Sequence, residues 1–94
     1  MNIIDTIGLP AVLEQLAEES SELSKAALKV SRILRNENPT PVTLDEALAD
    51  LDEEVNDVYT VLLILSSKGY AEEDPARVAE KLYRWITRLK EAGK

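Results

Sequence analysis

The sequence predicts an all-α fold: an antiparallel helical hairpin plus a third helix, assembled into a four-helix-bundle core by oligomerisation. Leu, Val, Ile and Ala recur at heptad spacing over two long stretches, which is typical of helices that pack side by side. Phe is absent, so the core must be aliphatic, and this favours helices over sheets. A chain of 94 residues buries only a modest part of its surface alone, so we expect a single domain, 1–94, in a homodimer or homotetramer.

The first long helix is delimited by prolines. Pro10 suits the first turn of a helix, and the pattern continues without Gly or Pro to about Arg35, with a short turn of helix at 3–7 before it. The segment 36–42 contains two prolines, each of which restricts its own backbone and that of the preceding residue. It predicts a stiff connection between helices within one domain.

Capping residues mark the two later helices. The segment 43–46 has the pattern of a capping box, so the second helix is expected to begin at 44 and to run to about 68, before Gly69. Asp74 is suited to cap a third helix with Pro75 at its first position, and this helix is expected to end near Gly93.

Each long helix combines a heptad seam with a neighbouring apolar stripe. The heptad seam consists of Leu9, Leu13, Leu16, Ser20, Leu23, Ala27, Val30 and Leu34 on the first helix and Leu44, Leu48, Leu51, Val55, Val58, Leu62 and Leu65 on the second. The interrupted stripe consists of Val12, Glu19, Ala26 and Ile33 on the first helix and Ala47, Glu54 and Val61 on the second. Glu19 and Glu54 are the interruptions, because each stands where the pattern asks for an apolar residue.

These interruptions predict a cluster of carboxylates. Residues three apart are neighbours on a helix surface, so Glu22 joins Glu19 and Asp57 joins Glu54. Antiparallel packing of the two helices brings the four side chains together at the edge of the core. Such a cluster repels itself in a partly dry site and must bind protons or cations. Hard oxygen ligands of this kind select Mg²⁺, with Mn²⁺ as a substitute.

Composition excludes several classes of function. The net charge of −7 argues against a nucleic-acid binder and against a protein of anionic membranes. Cys and His are both absent, which excludes disulfides, thiolate zinc sites and an imidazole base. No apolar run approaches the length of a membrane span, and the first residues do not resemble a secretory signal, so a cytoplasmic protein is expected.

Basic residues are candidates for contact with phosphate. Lys81, Arg84 and Arg88 lie three to four apart on one face of the third helix, which fits either phosphate contact or a solvated surface. Lys25 lies near the first carboxylate pair and can either neutralise it or contact phosphate, whereas Lys29 is expected to be a surface lysine. Tyr59 and Trp85 are the candidates for stacking on a nucleotide base, although a lone aromatic residue is more often part of a core or an interface.

The acidic motifs resemble those of a known family. Glu18-Glu19-x-x-Glu22, followed after a helix-loop-helix by Glu53-Glu54-x-x-Asp57, is similar to the motif of the MazG-like all-α nucleoside triphosphate pyrophosphohydrolases. The stretches 16–19, 26–29, 36–43 and 81–85 also look like the small single-domain members found in bacteria and their phages. The resemblance covers nearly the whole chain.

The resemblance implies an enzyme that hydrolyses (deoxy)nucleoside triphosphates at the bond between the α- and β-phosphates. Glu19, Glu22, Glu54 and Asp57 would coordinate Mg²⁺, and either Glu19 or Glu22 would serve as the base. Water would attack the α-phosphorus, and the products would be nucleoside monophosphate and pyrophosphate, as in house-cleaning of the nucleotide pool. Lys25 and the basic residues of the third helix are the candidate substrate-binding residues.

A second hypothesis belongs to a different class. The heptad seams alone would suit a non-catalytic helical dimerisation or regulatory module that pairs with another helical chain. Acidic runs are usually solvated helix faces, and a single ExxE motif is a weak signal. The dimerisation hypothesis explains the seams, but it does not explain why two Glu residues interrupt matching stripes.

Overall fold

The computed structural model describes residues 1–37 and 41–94 and contains four helices in those ranges. The helices are α1 (Ile3–Ile7), α2 (Leu9–Leu34), α3 (Leu44–Ser66) and α4 (Pro75–Glu91). No strand occurs in the described ranges, so the all-α prediction is confirmed. The expected limits of the long helices hold to within two residues. The predicted stiff connection includes 38–40, which lie outside the described residues.

Side chains cap the helices where the sequence predicts. The Thr43 hydroxyl accepts a hydrogen bond from the backbone N–H of Glu46 at 3.2 Å, and the Glu46 carboxylate accepts one from the hydroxyl at 3.1 Å. A carboxylate oxygen of Asp74 accepts a hydrogen bond from the N–H of Arg77 at 3.1 Å, at the start of α4. Gly8 joins α1 to α2 at a φ of 93°, a conformation that side-chain-bearing residues rarely adopt.

We expect Thr43→Ala to lower the free energy of unfolding by about 1 kcal/mol, because a backbone N–H in the first turn of α3 loses its partner. Thr60→Ala is the matched control, since the Thr60 hydroxyl donates a hydrogen bond to the Asn56 carbonyl in the middle of the same helix. The control should be neutral or slightly stabilising, because Ala is the better helix former. Urea unfolding of both variants measures the difference, and equal losses would mean that the cap contributes nothing.

The two long helices pack as an antiparallel hairpin. Val12, near the start of α2, is buried in one cluster with Val61 and Leu65, near the end of α3. Further along α2, Ala26 lines the same cleft as Ala47, near the start of α3. Positions therefore rise along one helix as they fall along the other. α1 closes the open end of the hairpin by placing Ile4 in the same cluster.

Residues of both the interrupted stripes and the heptad seams form the interface between α2 and α3. Val12, Ala47 and Val61 are all stripe residues and are buried. In the heptad seam Val30 and Leu65 are buried, but Leu13, Leu34 and Leu48 are exposed. One chain thus leaves part of the heptad seam in contact with water.

α4 stands apart from the hairpin. Among the residues the structure describes, no Cα atom of α4 lies within 8 Å of a Cα atom in another helix. The radius of gyration is 17.1 Å, compared with about 12 Å for a compact domain of this length. None of the helices described combines the length and the apolar character needed to pass through a lipid bilayer.

Candidate metal centre

Three of the four predicted ligands converge between α2 and α3. One carboxylate oxygen from each of Glu19, Glu54 and Asp57 lies within 4.8 Å of the other two. Glu19 and Glu54 are half-buried, because the interrupted stripes face each other across the hairpin. These three residues, here called the carboxylate cluster, offer only hard oxygen donors. The donor set therefore fits Mg²⁺ or Mn²⁺ and does not fit a soft metal.

Glu22 lies at the rim of the carboxylate cluster. Its carboxylate pairs with the Lys25 ammonium group at 3.4 Å in an ion pair exposed to solvent. Glu22 is nevertheless close enough to act electrostatically on Glu54. Within the cluster, Glu19 accepts a hydrogen bond from the Gln15 amide at 2.8 Å, which restricts its orientation. Gln15 and Glu19 are four residues apart, and this spacing in the sequence is what predicts their contact on the helix surface.

The surroundings of Glu54 disfavour a negative charge on its carboxyl group. Partial burial raises the pKa of Glu54 above its ordinary value of 4.5, and the negative charges of Asp57, Glu19, Glu22 and Glu53 raise it further, in that order. Glu54 therefore holds its proton more tightly in the metal-free site than an ordinary carboxyl group does. A bound divalent cation would remove the same repulsion by supplying positive charge.

The raised pKa of Glu54 predicts a pH dependence of stability in metal-free buffer. The folded chain holds this proton more tightly than the unfolded chain, so the Glu54 contribution to the free energy of unfolding falls as pH rises from about 4.5 through the raised pKa. Glu54→Gln removes that contribution. In urea unfolding with a chelator, the free energy of unfolding of the variant should increase relative to that of the wild type as pH rises from about 4.5 to neutral. A constant difference across that range would show that Glu54 titrates normally.

A cleft extends from the carboxylate cluster along α2. It has a volume of ≈ 500 Å³, and its lining includes Glu22 and Glu54 together with Lys25, Lys29 and Arg32. The three basic residues are four and three positions apart, so they project from one side of α2. The cleft thus places positive charge directly beside the carboxylates.

Two cleft residues are not among the candidate site residues of the sequence. Arg32 is not singled out there and Lys29 is expected to be a surface lysine, and the structure places both in the lining of this open cleft. Their spacing in the sequence could have predicted this, because Lys29 follows Lys25 by four residues and Arg32 follows Lys29 by three, which places all three on one side of the helix. Lys25 itself lies at the acidic end of the cleft, paired with Glu22.

The basic residues of α4 are not brought to the carboxylate cluster within one chain. Lys81, Arg84 and Arg88 line a separate shallow cavity of ≈ 450 Å³, together with Trp85. Arg84 pairs with Glu80 on the same helix at 3.4 Å. Tyr59 and Trp85 are 61% and 65% exposed, so neither is a core residue of the single chain.

Comparisons with known proteins identify no relative. No protein-family model, no curated protein and no solved structure matches the chain. Any assignment of function therefore depends on the geometry of the carboxylate cluster and the cleft, together with the motif resemblance.

Proposed function

We propose that this chain is a Mg²⁺-dependent nucleoside triphosphate pyrophosphohydrolase that acts on the bond between the α- and β-phosphates. The observation that carries the proposal is the juxtaposition of three carboxylates with a cleft that holds three basic side chains. The motif resemblance points to the same activity and to a role in house-cleaning of the nucleotide pool. The substrate is then a nucleoside triphosphate, with Mg²⁺ as cofactor and Mn²⁺ as a substitute.

The cleft suits a triphosphate in size and charge. Its ≈ 500 Å³ falls within the range of about 300–1,000 Å³ that is usual for small-molecule sites. Lys25, Lys29 and Arg32 supply charge-assisted hydrogen bonds to phosphate oxygens, and the guanidinium of Arg32 can hold two oxygens at once. A polyanion entering this cleft would meet the carboxylate cluster at one end and cations along its wall.

Each carboxylate has a role in this proposal. Glu19, Glu54 and Asp57 would hold Mg²⁺, with Glu22 completing the set from the rim. When bound there, Mg²⁺ supplies Lewis acidity, lowers the pKa of a coordinated water and neutralises charge on the leaving pyrophosphate. Either Glu19 or Glu22 accepts the proton of the attacking water, because no His is available in the chain. The Gln15 amide holds Glu19 in place for this task.

We also propose that two hairpins pair through their heptad seams into a four-helix-bundle core, giving a homodimer or homotetramer. The exposed seam residues Leu13, Leu34 and Leu48 support this assembly, since burying them removes apolar surface from water. Pairing through the seams leaves the interrupted stripes, and hence the carboxylate cluster, inside each hairpin.

A non-catalytic dimerisation module remains the second candidate function. The partly uncovered heptad seam and the isolated α4 favour it, because both surfaces suit binding to another helical chain. It gives no reason for Glu19 and Glu54 to occupy the interface between α2 and α3, where carboxylates repel one another.

A panel of ribo- and deoxyribonucleoside triphosphates tests the proposed activity. We expect pyrophosphate and nucleoside monophosphate to be released in equal amounts with Mg²⁺, and no release with a chelator. Release of inorganic phosphate and nucleoside diphosphate would place cleavage at the wrong bond. No turnover of any member of the panel, by a chain shown to bind Mg²⁺, would favour the regulatory module.

A further inference from the structure

α4 has two distinct surfaces that its own chain does not use. Its apolar face consists of Val78, Leu82, Trp85, Ile86 and Leu89, which are between 43% and 65% exposed. Their spacing of four, three, one and three residues places them on one side of the helix. The basic stripe of α4, which borders this face, consists of Arg77, Lys81, Arg84 and Arg88.

An isolated helix with these surfaces requires a partner. A 17-residue helix is only marginally stable in water on its own, and most helices in proteins are held by burial of their apolar face. Among the described residues, α4 finds no such cover on its own chain. Five large apolar side chains on one face also form the kind of contiguous patch that marks an interaction surface.

Charge decides which partner fits. α4 carries five basic and two acidic residues, a net charge of +3, whereas α2 and α3 together carry eleven acidic and three basic residues, a net charge of −8. Two α4 helices would therefore repel each other. A polyanionic partner such as a nucleic acid or an anionic membrane would attract α4 but repel the hairpin. The hairpin of a second copy attracts α4 and also has apolar surface to offer.

One groove on the hairpin matches α4 both in charge and in apolar surface. It has a volume of ≈ 450 Å³, and its lining includes Tyr59 and Leu63 from α3 with Glu72 and Glu73 from the following connection. Tyr59 is 61% exposed and Leu63 is 72% exposed. The groove thus combines exposed apolar side chains with an acidic edge, which is the complement of an apolar face bordered by basic residues.

We infer that α4 of one copy docks in this groove of a second copy, with its apolar face on Tyr59 and Leu63 and its basic stripe against Glu72 and Glu73. The same chain's α4 does not fill the groove, because it begins two residues after Glu73 and contacts no other helix in the described structure. Exchange between two copies is reciprocal, so it closes into a two-fold dimer. The inference concerns assembly and does not require the proposed enzymatic activity.

Sedimentation velocity of the full chain tests the apolar part of the contact. Leu82→Ser with Trp85→Ser should raise the dimer dissociation constant by about tenfold or more, because it removes the two central anchors. Tyr83→Ser is the matched control: Tyr83 is 72% exposed but lies off the apolar face, so its loss should change the constant by less than about twofold. Circular dichroism confirms that the hairpin remains folded. A monomeric wild type, or equal effects of the two changes, would overturn the inference.

Charge reversal tests the orientation and the identity of the partner. Arg84→Glu with Arg88→Glu should weaken self-association, and adding Glu72→Lys with Glu73→Lys to the same chain should restore it, since both sides of the contact then change sign. Failure of this rescue would overturn the groove assignment. Wild-type binding to phosphatidylserine vesicles that requires Leu82 and Trp85, with self-association unaffected by their loss, would assign the face to a lipid surface instead.

Discussion

Glu54→Gln is expected to abolish Mg²⁺-dependent release of pyrophosphate while it stabilises the metal-free chain. In the proposed mechanism, the activity falls because one hard, charged donor is lost from the carboxylate cluster that would hold Mg²⁺ and neutralise the leaving pyrophosphate. Loss of one electrostatic stabiliser of a transition state typically costs about 10²–10³-fold in kcat. The metal-free chain gains stability because partial burial and four neighbouring carboxylates disfavour a charge at Glu54.

The opposite signs of these two effects separate a functional site from a structural one. Glu19→Gln, Glu22→Gln and Asp57→Asn should likewise lose activity without unfolding, whereas Asp52→Asn, an equal charge change at an exposed position of α3, should alter neither property by much. Initial rates at saturating Mg²⁺ and urea unfolding with a chelator provide the two readouts. Unfolding of the carboxylate variants would mean that they have structural roles, and full activity in two or more would place the site elsewhere.

Removal of positive charge from the cleft is expected to weaken substrate binding. Lys29→Ala and Arg32→Ala should each lower kcat/KM by about ten- to a hundredfold, the equivalent of ~1.5–3 kcal/mol for a hydrogen bond to a charged group. Mg²⁺ binding should persist in both variants, because neither residue belongs to the carboxylate cluster. Arg35→Ala is the control, since Arg35 follows the last residue of α2 and does not line the cleft.

The same assay decides whether α4 contributes to the active site. Alanine at Lys81, Arg84 and Arg88 removes three positive charges that do not reach the carboxylate cluster of their own chain. Unchanged kcat/KM in this triple variant, with losses at Lys29 and Arg32, would assign phosphate contact to the cleft. The reverse pattern would mean that a neighbouring subunit supplies α4 to the site.

Much of the hairpin could be predicted because its signals are local. Capping by Thr43 and Asp74 depends on residues only three apart in the sequence, and those hydrogen bonds form as the sequence predicts. The convergence of Glu19 with Glu54 and Asp57 follows from helical periodicity and an antiparallel arrangement. Periodicity fixes which residues share a face, and the interruption of matching stripes indicates which faces meet.

The rest depends on tertiary relations that periodicity does not contain. The pattern of α4 shows that one side is apolar, but it does not say what covers that side, and α4 contacts no other helix in the described structure. Lys29 and Arg32 look like ordinary surface residues until the packing of α2 on α3 creates a cleft beside them. Glu22 lies outside the close group of three and pairs with Lys25, and spacing alone does not say which of these neighbours it meets.

Thermal unfolding with and without Mg²⁺ tests the central claim, that the carboxylate cluster is a metal site, most directly. A ligand that binds only the folded state stabilises it by RT ln(1 + [L]/Kd), which is about 2.7 kcal/mol at a hundredfold excess over Kd. We predict that Mg²⁺ raises the unfolding temperature of the wild type but not that of a Glu19→Gln, Glu54→Gln double variant. An unfolding temperature of the wild type that does not respond to millimolar Mg²⁺ would contradict the claim.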